Sequence, residues 1–391
     1  MTYFKNYKIK SSLIIFLFSV ISNIIVGQEI KKDSTDITFT GTKVNPYSLE
    51  FDTTGKVIIS GYLDTYYAGY SDTSNNQGFQ KFPTAAPRNN QFGINILQIS
   101  AKYQSSKFRG VTTLFYGDCP QSAWSPYLNL IQEANLGFQI TKHLWLDAGY
   151  FRTHLGLESI QPRENMAISF ATTTYFEPYF LSGAKLTWEY SKKITFQVNA
   201  FNGFNTFQET NKNKAVGFSS VFTPNSKLNI SFSTLFCDES SIYFPRKQSR
   251  SYSDLILIYK THRLTLGAEI NYGYQTNSKL IDTLSSAQMY SSLIAFKYRF
   301  SSKFASYCRG EIFSDPDEIL TGPIVNETHK FVGLDIKGLT LGSEFKVIPN
   351  SYLRIEGRAL KTKYKDEKIF YNQGQSSNLR YEIIVGLGVW F

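Results

Sequence analysis

The chain of 391 residues carries 26 tyrosines, 32 phenylalanines and 26 glycines but only 18% charged residues, a balance that favours strands over helices. Its formal charge is +10, about +7 without the three lysines of an export signal, and no basic cluster interleaved with aromatics marks a nucleic-acid face. Three widely spaced cysteines, Cys119, Cys237 and Cys308, allow at most one disulfide and exclude a stapled scaffold.

Residues 1–27 open with Lys5, Lys8 and Lys10 and continue into the apolar run LIIFLFSVISNIIV, the order of a secretory signal peptide. Gly27 suits a cut, but Ile25 is not small, which leaves the cleavage point open. An uncleaved anchor is the rival reading, yet the run falls short of the roughly 18 residues that span a bilayer. Residues 28–56 are polar and irregular and read as a periplasmic leader, leaving 57–391 as the structured unit.

From Val57 the chain falls into sixteen runs in which apolar residues alternate with polar or small ones, the period of a strand wetted on one face. They lie near 57–70, 93–103, 108–117, 127–140, 143–152, 181–190, 193–203, 214–223, 227–237, 252–260, 263–275, 287–300, 303–313, 331–347, 351–361 and 379–391. Tight links such as TK at 141–142 and TH at 261–262 alternate with long ones such as 71–92 and 153–180. This pattern predicts an all-β fold, a transmembrane up-and-down antiparallel β-barrel of about 16 strands with short periplasmic turns and long extracellular loops. Alternation alone also fits a soluble β-sandwich, but a sandwich gives no reason for the alternating loop lengths.

Charges support the barrel. A Lys or Arg facing lipid at mid-bilayer costs about 2–4 kcal/mol, and the charges of every clear run, from Lys102 and Arg109 to Glu382, sit opposite its apolar face. One run departs: Asp335 and Lys337 share parity with Leu339 and Leu341, which predicts either a bulge near Gly338 or a segment projecting above the bilayer. Aromatics gather near both strand ends, as two interfacial girdles would.

The last third of the chain places Lys297, Arg299, Arg309, Glu311, Glu344, Lys346, Arg354, Glu356 and Arg358 on inward positions of neighbouring strands. As pore-lining residues they would give a water-filled channel a modest anion preference; alternatively they only pair with one another and stiffen the barrel. The longest loop, 153–180, is too apolar for a free tail and either folds into the mouth, with Glu158, Arg163, Glu164 and Asn165 as constriction-loop candidates, or forms an external lid. Nucleophile elbow, phosphate loop, dinucleotide fingerprint and zinc-helix motifs are all missing, so no catalytic residue, metal ligand or cofactor is assigned. His154, in RTHLGLES, is the one histidine worth testing for a rim enzyme, and its neighbourhood has no recognisable nucleophile arrangement.

Several segments together resemble a known family. GYLDTYY (Gly61, Tyr62, Asp64, Tyr66), the stretch with Gly149, Gly156, Glu158 and Asn165, NAFNGFN (Asn202, Gly203) and LGSEFKVIPNSYLRIEGR (Gly342, Glu344, Arg354, Glu356, Arg358) look like the OmpL-like outer-membrane beta-barrel porin family of Bacteroidota. Phe204 stands where a Trp is expected and ALKT where an acidic residue is expected after Arg358. The resemblance implies a passive channel for small hydrophilic solutes in the bacterial outer membrane. It also implies outer-membrane lipids and, during insertion, the barrel-assembly machinery as partners; a homo-oligomer is compatible with it, nucleic acid is not. A barrel displaying extracellular loops for binding or adhesion, with a blocked lumen, is the alternative.

The final stretch YEIIVGLGVWF resembles the address read by barrel-assembly machinery, with Val389 and Phe391 on the apolar face of the strand that closes the barrel on 57–70. Deleting Phe391 is expected to impair membrane assembly; normal heat-modifiable gel migration of the truncated protein would contradict this.

Overall fold

The computed structural model describes residues 36–37, 55–74, 78–80, 82, 84–125, 128–209, 211–240, 246–363 and 368–391. Apart from 36–37 and 55–56, the expected signal and leader lie outside these residues. The chain forms a closed antiparallel barrel of sixteen strands: β1 Lys56–Tyr70, β2 Gln91–Gln104, β3 Phe108–Tyr116, β4 Ile131–Thr141, β5 Leu144–Arg152, β6 Phe180–Ser191, β7 Ile194–Phe201, β8 Ala215–Asn225, β9 Leu228–Asp238, β10 Ser249–Lys260, β11 Leu264–Gln275, β12 Ala287–Arg299, β13 Phe304–Asp315, β14 Leu334–Phe345, β15 Ser351–Thr362 and β16 Leu379–Trp390. Each pairs with its neighbour in sequence, and β16 pairs with β1 from Glu382 opposite Tyr70 to Trp390 opposite Tyr62. Closure leaves no open edge within the ladder.

Side-chain parity then decides what meets lipid. In β12 the inward residues Met289, Leu293 and Ala295 are buried while Tyr290, Ile294 and Phe296 are exposed on the outer face. The same alternation puts Tyr381, Ile383, Leu387 and Val389 of β16 outside and Arg380, Glu382 and Ile384 inside. Phe391 extends the seam: its backbone exchanges hydrogen bonds of 3.2 Å with Gly61, and its ring occupies the space a Cβ on Gly61 would need.

The register of β14 runs unbroken against both β13 and β15, so there is no bulge near Gly338. Asp335 and Lys337 face outward at the long-loop end of the strand, where Ser314 donates to the Asp335 carboxylate. The aromatic girdles are thinner than composition suggests. Phe108, Tyr190, Phe300, Tyr116, Phe236, Tyr272 and Tyr290 are exposed at the two rims, but Tyr66, Tyr70, Trp145, Tyr150 and Tyr352 are buried in the interior.

Among the described residues, two short helices lie in the long loops, α1 Asp118–Ala123 and α2 Thr172–Phe176, together with one 3-10 turn at Pro162–Glu164. They position loop segments at the mouth and interior of the barrel. Ile294→Arg, at mid-height on the lipid face, is expected to destabilise the barrel by about 2–4 kcal/mol in reversible unfolding from bilayers; a loss below about 0.5 kcal/mol would contradict this placement.

Candidate functional site

The loop between β5 and β6 leaves the wall at Thr153, crosses the interior and returns at Tyr179. The barrel wall fixes it through its backbone. Asp254 of β10 accepts the Gly156 N–H at 2.7 Å and Glu269 of β11 that of Leu157 at 3.2 Å. On the far side Glu356 accepts Ile168 N–H at 2.7 Å and Ser169 N–H at 3.1 Å, and Glu311 accepts that of Thr172 at 2.5 Å. A loop inside a barrel has no strand partner for these amides, and charge-assisted bonds to wall carboxylates satisfy them.

Arginines engage the loop carbonyls. Arg354 donates to the oxygens of Pro162 at 2.7 Å, Ala167 at 3.1 Å and Asn165 at 3.1 Å. Arg309 donates to Glu158 at 2.8 Å and to the Ser169 carbonyl at 2.6 Å, while Arg358 reaches Glu311 at 2.7 Å. Missing side chains on the wall receive the loop's apolar groups. A Cβ at Gly267 would lie 2.9 Å from both Leu157 and Met166, and one at Gly386 3.1 Å from Ile168.

This arrangement revises the role expected of the nine inward charges. Arg309, Glu311, Glu344, Arg354, Glu356 and Arg358 project inward but are buried beneath the loop, balanced three against three. Their side chains anchor protein rather than face water. Lys297, 18% exposed and 2.6 Å from Glu344, together with Arg299 and Lys346, lies uncovered toward the short-turn end.

The four constriction-loop candidates divide as well. Glu158 is buried, bound to Arg309 and to the Ala171 N–H at 2.7 Å. Asn165 ties the loop to itself, accepting the Ser159 N–H at 2.7 Å and donating to the Ser159 carbonyl at 2.6 Å. Arg163 lies 4.8 Å over the Tyr62 ring, and Glu164 accepts from Arg152, the Arg152 and Glu164 side chains each being about one third exposed. Burial pushes the Glu164 carboxyl up, but Arg152 outweighs it and holds the group below the usual carboxylate range. The loop is therefore an inserted segment, not an external lid.

Across the interior the wall of β3–β6 stays open. Arg109 donates to Asp147 at 2.6 Å and its side chain remains 28% exposed; the Lys185 ammonium sits 3.9 Å over the Phe151 ring. Above this level a second set of loops narrows the mouth. Arg380 is stacked between Tyr70 and Phe82 at 4.7 and 5.2 Å, and Trp124 packs on Phe115, Tyr150 and Phe180.

His154 belongs to the anchoring. It packs on Phe201 and fills the space beside Gly217, with Nε2 3.4 Å from the Thr234 carbonyl oxygen; burial pushes its imidazole down to about 4, so it is neutral. Glu177, where the loop rejoins the wall, accepts from Tyr252 at 2.6 Å, and burial pushes its carboxyl up. Sequence reasoning missed Asp254, Arg380 and the socket glycines. The available signal was a Gly or an acid on the inward parity of a strand whose other inward residues are bulky or neutral.

Replacing Arg309 with Met leaves the Glu158 carboxylate buried without its guanidinium. A loss of about 3–5 kcal/mol in unfolding free energy is expected, with faster tryptic cleavage after Arg163; unchanged stability and cleavage would show that the network does not hold the loop.

Comparison with known proteins agrees with this geometry. Residues 56–391 match the family described as "Putative beta-barrel porin-2, OmpL-like". No curated protein matches the sequence significantly. Among solved structures the barrel is similar to the outer membrane channel DcaP of Acinetobacter baumannii, with a TM-score of 0.60 at 10% identity over 88% of this chain and 99% of that one. It is also similar to OmpF of Salmonella typhi, TM-score 0.57 at 12% identity over 87% and 99%. The anion-selective porin from Comamonas acidovorans gives 0.56 at 9% identity over 86% and 100%. These likenesses concern the fold, whereas the family match covers the whole barrel, so the chain belongs to the OmpL-like beta-barrel porin-2 family, a porin-type barrel of the bacterial outer membrane.

Proposed function

We propose that the barrel is a water-filled channel for passive diffusion of small hydrophilic solutes, narrowed by the loop between β5 and β6. The observation that carries this reading is the asymmetry of the interior. Arg309, Arg354 and Arg358 are sealed under the loop at 3% exposure or less, while Lys102, Arg109, Glu133, Lys185 and Glu189 on β2–β6 and Arg152 and Glu164 beside them keep access to solvent. A sixteen-stranded barrel is wide enough to leave a water path beside an inserted segment. The Bacteroidota source implied by the sequence resemblance belongs to this same reading.

The uncovered charges favour anions modestly. Lys102, Arg109, Arg152, Arg163 and Lys185 meet Glu133, Glu164 and Glu189, with Asp147 buried beside Arg109, and Lys297, Arg299 and Lys346 add positive charge at the periplasmic end. A ring of mixed sign with a small cationic excess lowers the barrier for anions without excluding neutral solutes. The Comamonas porin, similar in fold, is itself described as anion-selective. Homo-oligomerisation is part of this reading, since the similar Vibrio cholerae barrel OmpT has a trimer form.

A display barrel with a closed lumen is the second reading, favoured by the six sealed wall charges and by the aromatic packing at the mouth, such as Phe82 on Phe370 at 5.2 Å. Purified protein in a planar bilayer separates the two. Stepwise conductance with a chloride-over-potassium permeability ratio above one, lowered by Lys185→Gln, is expected; a silent bilayer would favour the display barrel.

A further inference from the structure

Lysines in the barrel strands keep to the inward parity, with two exceptions that face each other. Lys56, Lys102, Lys185, Lys260 and Lys297 take the inward side of β1, β2, β6, β10 and β12, whereas Lys337 of β14 and Lys361 of β15 take the outward side. These two are direct cross-strand partners, and both are exposed. Such partners hold their Cβ atoms about 5 Å apart, a separation at which like charges destabilise a sheet. Neither lysine makes a side-chain hydrogen bond or ion pair among the described residues. Asp335, one outward position nearer the loop, is buried and takes the Ser314 hydroxyl.

Height on the wall decides what can offset this repulsion. Lys337 is the fourth residue of β14 and Lys361 the last but one of β15, so both stand at the long-loop end of their strands. Below them on the outward face Leu339, Leu341, Ile355 and Ile383 are exposed, the start of the apolar band. The solvent at the lysines is therefore the headgroup layer of the outer leaflet, whose phosphates offer the anion that the protein does not. The band beneath has a recess. Gly357 lies outward between Leu341 and Ile383, about 13 Å down β15 from Lys361, and a Cβ there would meet no atom within 4 Å.

We propose that Lys337 and Lys361 together bind the phosphate of an outer-leaflet lipid, one acyl chain of which runs down the wall over Gly357. A phosphate between the two ammonium groups turns their repulsion into two charge-assisted contacts, and the missing side chain of Gly357 lets the chain lie close against Leu341 and Ile383.

The test uses the full-length protein in detergent, with bound lipid read by native mass spectrometry. Monophosphorylated lipid A, its dephosphorylated form and inorganic phosphate are the probes. The wild type is expected to retain the phosphorylated lipid about tenfold better than the dephosphorylated one, and Lys337→Gln/Lys361→Gln to lose that preference. Lys337→Arg/Lys361→Arg, which keeps both charges, is expected to preserve it, as is Lys247→Gln/Lys279→Gln, which removes the same charge from the loops; heat-modifiable migration reports that each variant is folded. Gly357→Leu fills the recess and is expected to weaken retention of both lipids. Equal retention of the two lipids by the wild type, or an undiminished preference in the glutamine variant, overturns the proposal. Inorganic phosphate held as tightly as the lipid, or full retention by Gly357→Leu, overturns the lipid as occupant and leaves an ion site only.

Discussion

Hydrocarbon offers no hydrogen bonds, so every backbone N–H and C=O at membrane depth must be satisfied by the chain itself. The seam between β1 and β16 meets that requirement. With the ladder closed from Glu382–Tyr70 to Trp390–Tyr62, each strand has two partners, and parity alone then assigns its side chains to lipid or to the interior. Ile294 and Leu341 face outward for the same geometric reason that Arg309 and Glu356 face inward.

An interior that collects charge is not thereby a wet interior. Six inward charges of β13–β15 have been taken out of water by a loop that supplies carbonyls to the arginines and amides to the glutamates. Desolvating them is costly and is offset only because nearly every group finds a partner of opposite character. The network thereby specifies position: Glu356 takes two consecutive amides of the loop, Ile168 and Ser169, which holds this stretch against the wall. Gly386 and Gly267 add a steric condition, since a side chain there would collide with Ile168 or with Leu157 and Met166. A loop so held leaves one side of the barrel sealed and the other open, and the open side carries the functional reading.

Strands were legible because their signal is local and repeated. The run expected at 351–361 is Ser351–Thr362 in the structure, and that at 227–237 is Leu228–Asp238. The family was legible in short motifs, and Gly156, Glu158 and Asn165 among them prove to be parts of the loop anchor. Parity also gave the inward direction of Arg354. What it could not give is which inward residues are covered, because the cover comes from a distant segment: Arg309 meets Glu158 across some 150 positions. The aromatic girdles failed for a related reason. Tyr66 and Tyr70 lie near a strand end but on the inward parity, where Asp118 and Thr84 bond their hydroxyls. The helices Asp118–Ala123 and Thr172–Phe176 are too short to show a period and are set by tertiary contacts.

The most direct test of this account is a nitroxide scan along β12 and the loop in bilayers, comparing accessibility to dissolved oxygen and to a water-soluble nickel chelate. Labels at Ile294 and Phe296 should be exposed to oxygen and shielded from the chelate, labels at Leu293 and Ala295 should be shielded from oxygen, and a label at Ser169 should be shielded from both. Accessibility without a two-residue period along β12, or a Ser169 label open to the chelate, would contradict the closed ladder in the first case and the inserted loop in the second.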